Sequence, residues 1–324
     1  VSKWSGIPVI QLLIILASGL VIGAPPVLAR DDSASEAGAA DTSSADRKRG
    51  MISTGLDSDA ISAKWPNAAV WLEPPEEKRV LGLFEPEADT PARGALVILA
   101  DEGQSAASGL AGALRQPMAR AGWAVMTVGL EPPPYAVQQA RRQQATAPPD
   151  VSPESAGDTE ATASVMIDVM DSVDAGDLED RYRARIQKVL SVAVAELTDR
   201  GYDRVAVAGV GLASGHVARM ATSADGEVSA LVWIAPVFTR SDSVELTGWL
   251  SGARQIRVLE LHSSRAMNTV GGAGPGSPEE REAAFRRADI AAYTRQPVAM
   301  AERPAPRNAA ALANRLSAWL APDH

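Results

Sequence analysis

The residues of this chain that could do chemistry fall into three groups: a glycine-rich turn, a pair of adjacent carboxylates, and a few histidines and serines. The turn is Gly209-Val210-Gly211-Leu212-Ala213-Ser214. It comes close to Gly-x-Gly-x-x-Gly, a pattern whose backbone amides cradle a pyrophosphate at the start of a helix. Ser214 stands where the last glycine belongs, and a ribose-binding carboxylate is also required about 20 residues on. The sequence there reads Trp233-Ile234-Ala235-Pro236, so no dinucleotide or other cofactor is expected. Asp101 and Glu102 are hard oxygen donors that could hold a cation. No third or fourth ligand can be named beside them, and a solvated loop with no metal is the plainer reading. Asp168, Asp171, Asp174 and Asp177 recur at every third residue, whereas calcium loops alternate ligands at every second and need a glycine turn. They read as an acidic, solvated flank. The histidines are His216, His262 and the terminal His324. Cysteine is absent, which removes thiol catalysis, thiolate metal sites and disulfides together.

These groups meet only if a scaffold brings them together, and the apolar pattern describes one. Ala69–Leu72 and Arg79–Phe84 read as short edge-like strands. Ala95–Ala100 is uniformly apolar, as a strand covered on both faces must be. Gly109–Ala121 has helical spacing, with a kink expected at Pro117, and Trp123–Val128 is a second buried strand. Strand, helix and strand with short joints imply a right-handed crossover in a parallel sheet. Residues 131–180 form a polar insertion rich in Pro, Gln, Ser and acids, expected to be mobile, with Arg141–Arg142 as solvated linker charge. An amphipathic helix follows from Tyr182 to Arg200. The alternation then resumes with strands at Val205–Ala208, Ala230–Ile234 and Arg257–Leu261, and a weak last strand near Pro297–Met300. Between them lie helices from the glycine turn to about Thr222, at Val244–Leu250 and after Ser277-Pro278-Glu279-Glu280, a serine cap with proline and glutamate in the first turn. Asn308–Leu320 closes the chain. The whole describes an α/β, doubly wound, mostly parallel sheet of about eight strands with helices on both faces.

The front of the chain carries an address. Lys3 precedes an apolar run from Leu12 to Ile22, then a proline pair, with Val27 and Ala29 as the small residues before a cut. This is the layout of a signal peptide over residues 1–29, and it places the product in the periplasm or outside the cell. The run is too short to span a bilayer, so no stable membrane span is expected after cleavage. Residues 30–60 read as a disordered leader and 61–324 as one domain. With 31 basic against 40 acidic residues, the net charge of −9 argues against a nucleic-acid partner, which needs a positive face.

This order of parts resembles the α/β-hydrolase superfamily. More narrowly, it is similar to an uncharacterised family of exported bacterial proteins, a domain of unknown function within that superfamily. The shared features are the acidic-glycine loop Leu99-Ala100-Asp101-Glu102-Gly103-Gln104, the Ala121–Ala124 turn and the elbow Gly209–Ala213, over roughly residues 69 to 321. The resemblance implies a nucleophile in the middle of a Gly-x-Ser-x-Gly/Ala turn, a histidine after the last strand, an acid that orients it, and amides for the oxyanion.

Here the middle residue is Gly211, between Gly209 and Ala213, and it has no side chain with which to attack. Ser214 lies three residues later, where a hydroxyl near a helix start ordinarily bonds local backbone. The last strand is followed by Ala301-Glu302-Arg303-Pro304-Ala305-Pro306-Arg307, with no histidine. His262 falls near the superfamily's acid position, His216 lies about one turn past the elbow, and Asp242 or Glu245 could be a remnant acid. Asp101 and Glu102 would place two carboxylates where negative charge should develop, which opposes catalysis. The reading is therefore a non-catalytic binding or envelope-associated module, its partner a small molecule or an envelope protein. The alternative is an esterase-like hydrolase of unorthodox constellation, with Ser105 or Ser214 served by His262 or His216. A ligand would sit at the carboxyl ends of the strands, near Asp101, Glu102, Gly103, Gly211, Leu212 and His262, with the 131–180 insertion where superfamily members carry a lid.

Overall fold

The computed structural model describes residues 56–146, 162–223, 228–253, 255–264 and 277–321. The expected signal segment and residues 30–55 of the leader lie outside them. Eight strands form one sheet: β1 (Ala69–Leu72), β2 (Val80–Glu85), β3 (Gly94–Glu102), β4 (Trp123–Leu130), β5 (Val205–Val210), β6 (Ala230–Ile234), β7 (Arg257–Ser263) and β8 (Tyr293–Val298). Their spatial order is β1-β2-β4-β3-β5-β6-β7-β8. The first two strands run antiparallel to their neighbours and β3 to β8 are parallel, so the sheet is α/β-hydrolase-like.

Side chains of a strand alternate between faces, and the two cores follow that rule. On β3, Ala95, Val97 and Leu99 join one cluster, while Leu96, Ile98 and Ala100 join the other. The first face is covered by α4 (Thr162–Asp199), α5 (Ala213–Ser223), α6 (Arg240–Gly252) and α7 (Pro278–Arg287). The second is covered by α2 (Gly109–Arg120) and α8 (Ala309–Leu320). A short helix α1 (Ser58–Lys64) packs its Ile61 with Leu81, Leu83 and Ala106 as a third, small cluster over the β1–β2 hairpin.

Five elements differ from expectation. Pro117 lies inside α2, yet the helix runs unbroken to Arg120 because α2 packs on both β4 and α8. The insertion expected to be mobile carries α3 (Tyr135–Thr146), and α4 begins at Thr162 rather than Tyr182. Helix α3 is polar, and ion pairs described below supply what apolar burial does not; α4 buries Ile186, Leu190, Ala193 and Leu197 in the main core. Helix α1 starts inside the stretch read as leader. Strand β8 begins four residues before Pro297, because it takes its register from β7, with Val258 opposite Tyr293 and Ser263 opposite Val298.

Candidate functional site

The elbow is built by β5 and α5. Gly209 and Val210 end the strand, Gly211 turns with φ of 59°, and α5 begins two residues later. That left-handed backbone suits glycine. Gly211 N–H donates to Ile234 O and Val237 N–H donates to Gly211 O, which ties the turn to the end of β6.

The space above Gly211 is filled. Asp101 reaches across from the end of β3, and its Oδ1 accepts from the backbone N–H of Leu212 and of Glu102, both at 2.9 Å. A Cβ built on Gly211 would lie 2.7 Å from Asp101 Oδ2 and closer still to Oδ1. The carboxylate thus sits where a nucleophile's side chain would start, bonded to the two amides that would serve an oxyanion. The pattern repeats one turn on: a Cβ on Gly215 would lie 2.7 Å from Oδ2 of the buried Asp242. Thr239 caps α6 by accepting from Asp242 N–H, and its hydroxyl donates to Asp242 Oδ2 at 2.8 Å.

A chain of ion pairs runs from Glu102, the neighbour of Asp101, to Asp242. Arg141 of α3 donates to Glu102 Oε2 at 2.9 Å and, through two nitrogens, to Glu179 of α4. Arg183, one turn on, donates to Glu179 at 2.9 Å and to Ser241 Oγ at 2.8 Å, and stands 3.5 Å from Asp242. Arg141 is therefore no solvated linker charge; its side chain is 18% exposed and holds the insertion against the body. Arg142 is exposed, as read. Burial pushes the Glu102 carboxyl up, and Arg141 offsets this only in part. For Glu179 burial also acts upward, but the two arginines outweigh it and hold the group below the usual range.

The candidate serines and histidines do not assemble. Ser214 is fully buried and its hydroxyl donates back to Gly209 O at 3.3 Å. Ser105 lies in the β3–α2 connection and lines a cavity that none of the elbow residues lines. His216 is buried edge-on to the Tyr182 ring, with centroids 5.6 Å apart, and burial lowers its pKa to about 4. His262 is 3% exposed, and neither ring nitrogen has a hydrogen-bond partner. The charges that act on it come from Glu260, Arg295, Glu279 and Arg281, on β7, β8 and α7 rather than at the elbow. Glu245 pairs with Arg219 at the surface. Gly103 leaves its loop with an N–H bond to Leu130 O. Asp168, Asp171 and Asp174 fall where side chains are outside the described residues. Among the described residues, no group of three or more His, Asp or Glu could hold a metal ion, and no helix is long and apolar enough to cross a membrane.

Sequence reading missed Arg141, Glu179 and Arg183. Only the spacing of Glu179 and Arg183, four apart on one helix face, could have signalled part of the network.

The family described as "Protein of unknown function (DUF3530)" matches residues 10–322. No curated protein matches the chain. Among solved structures, the chain is similar to the esterase domain of a Rhodothermus marinus protein, at 12% identity and TM-score 0.47, over 78% of this chain and 96% of that one. It is also similar to a dienelactone hydrolase from Anabaena variabilis, at 14% identity and TM-score 0.48, over 78% and 94%. A third is Est1E from Butyrivibrio proteoclasticus with ferulic acid bound, at 9% identity and TM-score 0.49, over 78% and 98%.

Proposed function

The chain belongs to the DUF3530 family, and from that premise we propose that it is an exported, non-catalytic binding or envelope-associated module built on a hydrolase fold. The observation that carries this reading is the bond set of Asp101. Acyl transfer needs an attacking side chain at the elbow and free amides for the developing oxyanion. The elbow residue is Gly211, and the Leu212 and Glu102 amides already serve the carboxylate of Asp101. A substrate carbonyl entering there would have to displace a negative group and then develop negative charge beside it. Export rests on the sequence pattern of residues 3–29, and it places the module in the periplasm or outside the cell.

The alternative hydrolase gains nothing from the neighbouring groups. Ser214 is spent on Gly209 O, and His216 faces Tyr182 and the ion-pair chain. The test is a fluorophosphonate probe on the purified protein, with a panel of ester and amide substrates beside it. No stoichiometric labelling and no turnover are expected. Stoichiometric labelling, or turnover that disappears in His216→Ala or His262→Ala, would overturn the reading.

A further inference from the structure

A cavity of about 560 Å³ opens beside the β1–β2 hairpin, and neither Asp101, Gly211, Leu212 nor the internal histidines line it. It lies between two apolar clusters that pack separately. Ile61, Trp71 and Leu81 form its wall on the hairpin side, and Leu130, Ile186 and Val189 form its wall on the main core. Packed interiors leave few voids larger than a water molecule, whereas ligand pockets run to about 300–1,000 Å³. This volume belongs to the second kind.

The rim adds polarity to that apolar hole. Arg185 is engaged by Glu131 at 2.7 Å and Glu77 at 3.7 Å, so its charge is spent. Lys78 and Arg79 are consecutive and exposed, and among the described residues neither has a carboxylate within 4.0 Å. Arg79 lies over the Trp71 ring at 4.1 Å, which sets a positive charge on the apolar wall itself. Asp57 and Asp59 also line the cavity, but they belong to the start of α1, whereas Lys78 and Arg79 lead into β2, so the two signs of charge come from different elements. The polar end of an occupant is thus drawn to the Lys78–Arg79 side.

We infer that this cavity is a binding site for a small amphiphile with an acyl or aryl body and an anionic end. The body fills the space between the two clusters, and the anion meets Lys78 and Arg79. The site uses none of the elbow residues, so it stands whether or not the elbow is catalytic.

The test is calorimetric titration of the full chain with dodecanoate and with dodecyltrimethylammonium, each below its micelle concentration. Dodecanoate is expected to bind once per chain, at least tenfold tighter than the cation. The double variant Lys78→Glu/Arg79→Glu, both exposed positions, should weaken dodecanoate at least tenfold. Ile186→Trp, which fills the cavity, should abolish it, with circular dichroism confirming the fold. Absence of dodecanoate binding, equal binding of the two amphiphiles, or dodecanoate binding that survives the charge reversal would each overturn the inference. Fluorophosphonate labelling reads the elbow separately, so failure of either idea leaves the other measurable.

Discussion

At the carboxyl end of β5, Gly211 and Gly215 leave room for side chains, and the carboxylates of Asp101 and Asp242 take it. Around them Arg141, Glu179 and Arg183 are bonded in series. At the β1–β2 hairpin the conditions are reversed. Space of about 560 Å³ stays open, and the cations Lys78 and Arg79 at its rim have no acidic partner among the described residues. A polar group that is already hydrogen-bonded has little left to offer a ligand, because a newcomer must first replace what it displaces. The hydrolase-like end of this sheet is therefore a closed polar structure, and the recognition capacity lies at the hairpin.

The sharpest way to break that contrast is to remove one charge from each region. Arg183→Met leaves Glu179 with one partner and strips Asp242 of its nearest cation, both in mostly buried surroundings. Glu179 keeps Arg141, and Asp242 keeps Arg219 at 3.9 Å and the Thr239 hydroxyl. The loss is therefore that of charge-assisted hydrogen bonds, about 1.5–3 kcal/mol in chemical denaturation. Lys78→Met at the exposed rim should cost less than about 0.5 kcal/mol. Similar losses at the two positions would mean that the ion-pair chain is ornamental.

Acid should also act on the closed region. His216 has a pKa near 4 in the folded protein because burial disfavours its charged form, against 6.5 as the ordinary value. The unfolded chain therefore binds the proton more readily, and stability falls as pH drops from about 6.5 to about 4. Above 6.5 the histidine is neutral in both states and contributes no pH dependence. A depression of this size corresponds to about 3 kcal/mol. His262, also lowered by burial, adds in the same direction. Replacing His216 by Leu should flatten the stability profile across this window, measured by urea denaturation at pH 7 and pH 4.5. An unchanged slope would show that His216 is hydrated.

How much of this could be read beforehand depends on the range of the forces involved. Strands β3, β5 and β6 were legible because burial on both faces demands unbroken apolar runs, and β6 lies at Ala230–Ile234 as its pattern implies. The capping box of α7 was legible because Ser277 and Glu280 bond each other's backbone within one turn. Helix α1 escaped notice because it buries a single side chain, Ile61, which makes no period. Helix α3 escaped because its anchor, Arg141, pairs with residues nearly forty positions away in both directions. The vacancy at Gly211 was plain from the motif. Its filling was not, since Asp101 and Leu212 are 111 residues apart and no local spacing records their bond.

That bond offers the finest comparison, a double-mutant cycle across Gly211 and Asp101. Gly211→Ala alone forces a side chain onto a left-handed backbone, which costs about 1 kcal/mol. Its Cβ must also push the carboxylate off the Leu212 and Glu102 amides, for roughly 1–2 kcal/mol more. Asp101→Ala alone strands the same two amides at a similar cost. In the double variant the amides are lost only once and no collision remains. The combined loss should then fall short of the sum by about 1–2 kcal/mol, whereas residues that do not touch add within a few tenths. Strict additivity in thermal or urea denaturation would mean that the carboxylate does not occupy the nucleophile's place, and the hairpin would lose its standing as the open region of the two.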